Sequence, residues 1–215
     1  MPRDLHRHGT LLMSALMLLI GVAIIVRTLI AGAFFGAEAF VPLMLVEQRH
    51  LSLLVAGTTL TVGALGWSVG SWLQSLRSLR LRRDRIITAG ALCVLTCVAL
   101  VAVVAWLQPW VGLVAIGWTV GGMGMGLATS STSLATMALS ESVEQGRNAS
   151  SLQFGEAFGG GLFVGIGGTV FAALRPTGDL TVVFGSVLSA MSAVAVLAVL
   201  ASLRTGPIRS AVSSP

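Results

Sequence analysis

The chain is built of long apolar runs separated by short polar punctuation, and that spacing predicts its elements. Six apolar stretches, 23–46, 51–75, 86–107, 111–139, 150–174 and 180–203, each reach the roughly 20 residues that a helix needs to cross a bilayer. The first run begins at Leu11 and continues to Val46 with only Arg27 and Glu38 interrupting it. It is too long for one span and carries no turn signal for two. The first span is therefore placed at Ala23–Val46, and Leu11–Val22 either lies along the interface or extends the helix out of the membrane. This divides the chain into a lead-in (1–22), a six-helix domain (23–204) and a Ser/Pro-rich tail (205–215) with the composition of a disordered segment. The fold class expected is an all-α, polytopic membrane protein.

Composition points the same way. Of 215 residues, 55% are hydrophobic and only 10% are charged, well below the roughly 25% charged of soluble domains. The basic residues are all arginine and lie at span edges rather than in one patch, which argues against nucleic acid as a partner. Cys93 and Cys97 share one face of an apolar helix and read as small core residues rather than as a disulfide or a metal site.

The arginines also set the orientation. Five of them, Arg77, Arg80, Arg82, Arg83 and Arg85, sit in the stretch Gly70–Arg85 between the second and third spans. Basic loops of this kind stay on the cytoplasmic side. Counting from this loop puts both termini inside, with ten arginines inside and only Arg49 and Arg175 outside. A multi-pass protein of the cell membrane is expected.

The spans differ in character. The third and sixth are plain and read as peripheral; the others carry the glycines and polar groups. Two interior helices and one peripheral helix, repeated twice, predict two three-helix repeats, a mark of secondary transporters.

Four residues are candidates for a proton-coupling or cavity role. Glu38 lies in mid-span on a face of small residues, and Pro42 four positions later cannot donate to its carbonyl, so a bend is expected beside the carboxyl. Intramembrane acids of this kind usually line a bundle interior or a water-filled path, with a structural acid bonded to a neighbouring helix as the alternative. Arg27, eleven residues earlier, points the same way about 16 Å along the axis and is expected to snorkel to the interface. Glu156 and Gln153 share a face near the start of the fifth span. They read either as a polar pair lining a cavity or, for Glu156, as a surface acid paired with the loop arginines. Gly121, Gly122, Gly126, Gly159, Gly161 and Gly165 read as packing or bending positions, together with Pro42. The hydroxyls of 129–133 can line a wet cavity or bond back to their own helix. Trp118, Phe34 and Phe35 are candidates to touch a substrate ring, and the remaining tryptophans fit an interfacial belt.

Three stretches resemble the major facilitator superfamily, in particular the C-terminal six-helix half of a drug-efflux-like member. Gly70–Arg83 resembles the loop between helices eight and nine, where the family often repeats Gly-x-x-x-Asp-Arg-x-Gly-Arg-Arg: Gly70 matches the first glycine, Gln74 stands at the aspartate position, and Arg80, Arg82 and Arg83 supply the basic part. Leu29–Leu45 resembles helix seven, and Gly146–Gly161 the start of helix eleven. The resemblance covers about residues 23–204 and lacks the family's N-terminal half. It implies a transporter of small solutes working by alternating access, expected here to be proton-coupled efflux of hydrophobic compounds. With half the helices, such a chain is expected to form a homodimer or to pair with a separate N-terminal half in the lipid bilayer. The alternative is a truncated or regulatory membrane protein that does not transport.

An enzyme is not expected. His6, His8 and His50 all lie outside the spans, so no buried Ser–His or metal site is available, and no Gly-x-x-x-x-Gly-Lys pattern is present for ATP. No cofactor and no metal is expected.

Overall fold

A computed structural model describes the backbone over residues 2–76 and 82–205, with side chains from Leu16 onward. The described residues are helical: α1 (Pro2–Glu38), α2 (Val41–Glu47), α3 (Leu53–Ser75), α4 (Arg83–Leu107), α5 (Gly112–Leu139), α6 (Gln145–Leu174) and α7 (Leu180–Ser202), with a short 3-10 turn at Arg175–Thr177. Six segments are long and apolar enough to cross a membrane, with α1 and α2 together forming the first. The chain is thus a multi-pass, all-helical membrane protein. Arg77, Arg80, Arg209 and the rest of the tail from residue 206 lie outside the described residues.

The boundaries follow local chemistry. α1 runs unbroken through residues 11–22, so the apolar lead-in continues the first helix. At about 1.5 Å per residue its 37 residues are far longer than a bilayer is thick. The first span breaks after Glu38, where Ala39 and Phe40 form a turn and Pro42 opens α2. Pro42 has no N–H for the carbonyl of Glu38, so the helical ladder lapses at the expected place. Ser52 caps α3 by accepting from the Val55 N–H, and Asp179 caps α7 by accepting from the N–H groups of Thr181 and Val182.

The packing has an exchange symmetry. α1 packs against α6 and α7, and α5 packs against α3 and α4. The first helix of each three-helix repeat therefore lies between the second and third helices of the other. α4 meets α7, its own counterpart, and α1 meets α5. Packing between the repeats outweighs packing within either one.

This arrangement corrects one expectation. The plain third and sixth spans, α4 and α7, are not the peripheral ones: half of their apolar window is buried, against 17% for α6. Val183, Val187, Leu188, Met191 and Ala195 of α7 recur at helical spacing and are fully buried, as are Ile87, Val94, Val98 and Val101 of α4. Glycine and polar content does not sort the helices by depth: α5, rich in both, is the most buried, whereas α3 and α6 lie open. On α6, Phe154, Phe158, Leu162 and Ile166 form an exposed ridge at four-residue spacing.

Glycines set how closely the helices approach. A Cβ on Gly122 would strike the carbonyl oxygen of Gly63, and one on Gly126 would strike that of Trp67, so α3 and α5 touch backbone to backbone. A Cβ on Gly159 would strike the carbonyl of Thr28, which holds α6 equally close to α1. Gly121 faces Cys97 and Phe34. The packing role expected for Gly161 and Gly165 does not hold within the chain, because a Cβ at either would meet nothing within 4 Å.

Gly122→Leu is therefore expected to destabilise the isolated chain in detergent by at least about 1–3 kcal/mol, the usual cost of overpacking. Gly161→Leu is expected to stay within about 0.5 kcal/mol, as open surface positions do. Thermal unfolding midpoints of the two variants, measured side by side, check the contrast.

Candidate functional site

The close approach of α6 to α1 places one carboxylate against one guanidinium. Gly155 and Gly159 face Thr28, and Glu156 lies between them on α6. Arg27 donates from Nε (2.8 Å) and Nη2 (2.5 Å) to the same oxygen, Oε2 of Glu156. Its Nη1 turns to α5, donating to the Thr129 carbonyl (2.8 Å), Thr132 Oγ1 (3.2 Å) and Ser133 Oγ (2.8 Å). Arg27 thus joins α1, α5 and α6 at one point.

Burial explains why the network is so complete. Arg27 is only 7% exposed, and a buried charge is tolerated only when it is paired and hydrogen-bonded. The expectation that Arg27 snorkels to the interface is therefore overturned: its side chain reaches sideways to four residues on two other helices instead of along the helix to water. The hydroxyls bond back to their own helix, one of the two expected purposes, and two of them also receive the guanidinium. Thr129, Thr132 and Ser133 donate back to the carbonyls of Met125, Ala128 and Thr129, and the oxygens of Thr132 and Ser133 accept from Arg27.

The other predicted residues separate. Glu156 pairs with Arg27 across the bundle and not with an arginine of the basic stretch. Gln153, expected beside it, is exposed and stands outside the network. Glu38 is half-buried at the break in the first span, and none of the four ion pairs among the described residues includes it. The two intramembrane acids are thus chemically different. Glu156 is neutralised by a fixed cation; Glu38 is not.

Aromatic rings occupy α1 between these charges. Phe34 stacks on Trp118 with centroids 5.0 Å apart, and Trp67 stands edge-on to Phe34 at 6.3 Å and tilted against Phe35 at 6.2 Å. Trp118 and Phe34 are buried in the core, so they do not present a face to a solute as expected. The half-buried rings are Phe35 and Trp67. Sequence reasoning put Trp67 in the interfacial belt; its partners come from α1, and nothing in its own neighbourhood of the chain signals them.

The basic stretch is not one loop. Gly70 and Gln74 lie in the last turns of α3, Gly70 against the carbonyl of Met123, and Arg83 opens α4. Arg82 donates to Asp84 from Nε (3.1 Å) and Nη2 (3.0 Å), a pair closed two residues along the chain. At the opposite end, Glu47 pairs with Arg175, and Arg49 Nη2 donates to the Pro109 carbonyl (2.6 Å), tying the connecting turns together. Among the described residues, no group of three or more His, Cys, Asp or Glu comes together to hold a metal.

Comparison with solved structures identifies the architecture. A proton:xylose symporter of the major facilitator superfamily, XylE bound to 6-bromo-6-deoxy-D-glucose, superposes with a TM-score of 0.70 at 17% identity, over 91% of this chain and 46% of the symporter. The inward-open xylose transporter XylE from E. coli gives 0.69 at 18% identity, over 87% and 48%. A further D-xylose-proton symporter structure gives 0.66 at 17%, over 89% and 48%. The chain spans about half the length of the structures it matches, and its fold is that of one six-helix half of a major facilitator superfamily transporter. These neighbours are sugar symporters, so the likeness carries the half-fold and not the efflux-like member. No protein-family model and no curated protein matches the sequence.

Removing Glu156 alone strands a buried guanidinium. Glu156→Leu is expected to cost about 3–5 kcal/mol, the usual consequence of breaking a buried pair. Arg27→Leu together with Glu156→Leu is expected to recover most of that loss, because neither charge is then left uncompensated. Unfolding midpoints of the two single variants and the double variant in detergent give the coupling directly.

Proposed function

We propose that this chain is one half of a proton-coupled transporter of small hydrophobic solutes, working at the cell membrane with both termini cytoplasmic. The observation that carries the reading is the contrast between the two acids. An intramembrane carboxyl without a cation is suited to taking up and releasing a proton, whereas one clamped by arginine has its charge compensated and its oxygen occupied. Glu38 is the first kind and Glu156 the second.

The roles follow from that contrast. Glu38 takes up and releases the proton. The break after it, where Pro42 removes a backbone donor, gives the first span a place to bend when the charge changes. Arg27 and Glu156 pin α1 to α5 and α6 on the side of that break towards the basic end. Phe35 and Trp67, half-buried between the two acids, offer flat apolar faces to a solute; such faces suit a hydrophobic ring and also the apolar face of a sugar. The ten-to-two distribution of arginines supports the orientation.

Half the helices of the matched symporters cannot close a path around a solute. We take the working unit to be two halves, either two copies or this chain with a separate N-terminal half. Native mass spectrometry of the purified chain in nanodiscs is expected to show a dimer; a clean monomer would mean that a different chain must supply the second half. In proteoliposomes under an imposed proton gradient, the assembled unit is expected to move a hydrophobic dye. Glu38→Gln is expected to reduce that flux to background with unchanged abundance. Undiminished flux in Glu38→Gln would remove Glu38 from the coupling.

A further inference from the structure

The end of the molecule that carries the basic stretch holds a cleft of about 450 Å³ between the start of α4 and the end of α7. It is separate from the Arg27 network and plays no part in the transport reading above. Along α4 its lining passes from charge at Arg82, Asp84 and Arg85, through the hydroxyl of Thr88, to the apolar Ala89 and Leu92. Arg82, Arg85, Ala89 and Leu92 are exposed, so the cleft opens sideways, towards the lipid.

Hydrogen bonding at the two helix ends gives the cleft a sign. At the end of α7, the carbonyls of Val199, Ala201 and Ser202 are already taken by the N–H groups of Leu203, Arg204 and Thr205, so few acceptors remain. At the start of α4 the reverse holds. Arg82 provides no side-chain cap, and among the described residues no acceptor takes the N–H of Arg83 or Asp84. The positive end of a 25-residue helix without a side-chain cap favours an anion.

The charges agree. Arg82 is engaged by Asp84, and those two cancel. Arg85 is in none of the ion pairs among the described residues. One positive charge and an uncapped helix end are left over. Beneath them the hydroxyls are satisfied internally: Thr88 donates to the Asp84 carbonyl, and Ser202 bonds to Thr88 Oγ1 and the Val199 carbonyl. They form a settled floor rather than competing donors.

We propose that this cleft is a headgroup site for one anionic phospholipid, with the phosphate against Arg85 and the start of α4 and an acyl chain running along Ala89 and Leu92. A free phosphate ion would use the charged upper part and leave the apolar part unfilled. A phospholipid fills both, and its phosphate sits at the depth where span ends meet the headgroups. Basic pockets between membrane helices are suited to such headgroups.

The test is native mass spectrometry of the purified chain from nanodiscs holding phosphatidylglycerol and phosphatidylcholine in equal amounts. One retained phosphatidylglycerol per chain, in excess over phosphatidylcholine, is expected. Arg85→Gln is expected to lower that excess about fivefold, the factor supplied by one arginine near an anionic surface. Arg49→Gln, at the opposite end, is expected to leave it unchanged. Equal retention of the two lipids by the unsubstituted chain would overturn the proposal, and so would an undiminished excess in Arg85→Gln. Displacement of the lipid by millimolar inorganic phosphate would mark a free-anion site instead and equally sink the lipid assignment.

Discussion

A guanidinium inside a membrane bundle has no water to turn to, and much of this structure answers to that constraint. Arg27 is buried, so every donor it carries must find an acceptor within reach. Those acceptors come from two other helices, and they are available only because α6 approaches α1 closely enough to bring Glu156 alongside. The approach in turn depends on Gly155 and Gly159, where any side chain would meet Thr28. A chemical requirement at one residue and a steric allowance at two others thus lock the same interface.

The exchange packing extends the constraint to the whole molecule. Each repeat gives its first helix to the other repeat, so the core is shared between them. Placing α4 and α7 against each other and behind α1 and α5 buries half of each, while α5, with its glycines and hydroxyls, is buried most. It leaves α3 and α6 with open faces, and the ridge from Phe154 to Ile166 lies on one of them. In water such a ridge would be a liability; in a bilayer it faces lipid or another helix at little cost. The same architecture puts the clamped acid, the half-buried rings and the uncompensated acid on or beside α1.

The six spans, the break after Glu38 and the pairing of repeats were legible in the chain because each rests on a local or periodic signal. Apolar run length reports membrane crossing, Pro42 reports a missing donor, and the alternation of plain and glycine-bearing spans reports a repeat. The partner of Glu156 was not legible. Arg27 lies 129 residues away along the chain, and no spacing rule connects residues on different helices. The same gap misplaced Trp67, Trp118 and Gln153: amphipathic position tells which side of a helix a residue occupies, not which helix stands there.

What the sequence determined by itself is the solvent and the scaffold: a bilayer protein of six spans, its basic end and the break in its first span. Hydrophobicity and backbone chemistry act residue by residue and need no fold to be read. What only the tertiary structure decided is which charges meet. Whether an intramembrane acid is neutralised or left free depends on distances between helices, and those distances are set by the fit of backbone against glycine across the whole bundle. That fit distinguishes Glu156 from Glu38, two carboxylates whose local sequences look alike.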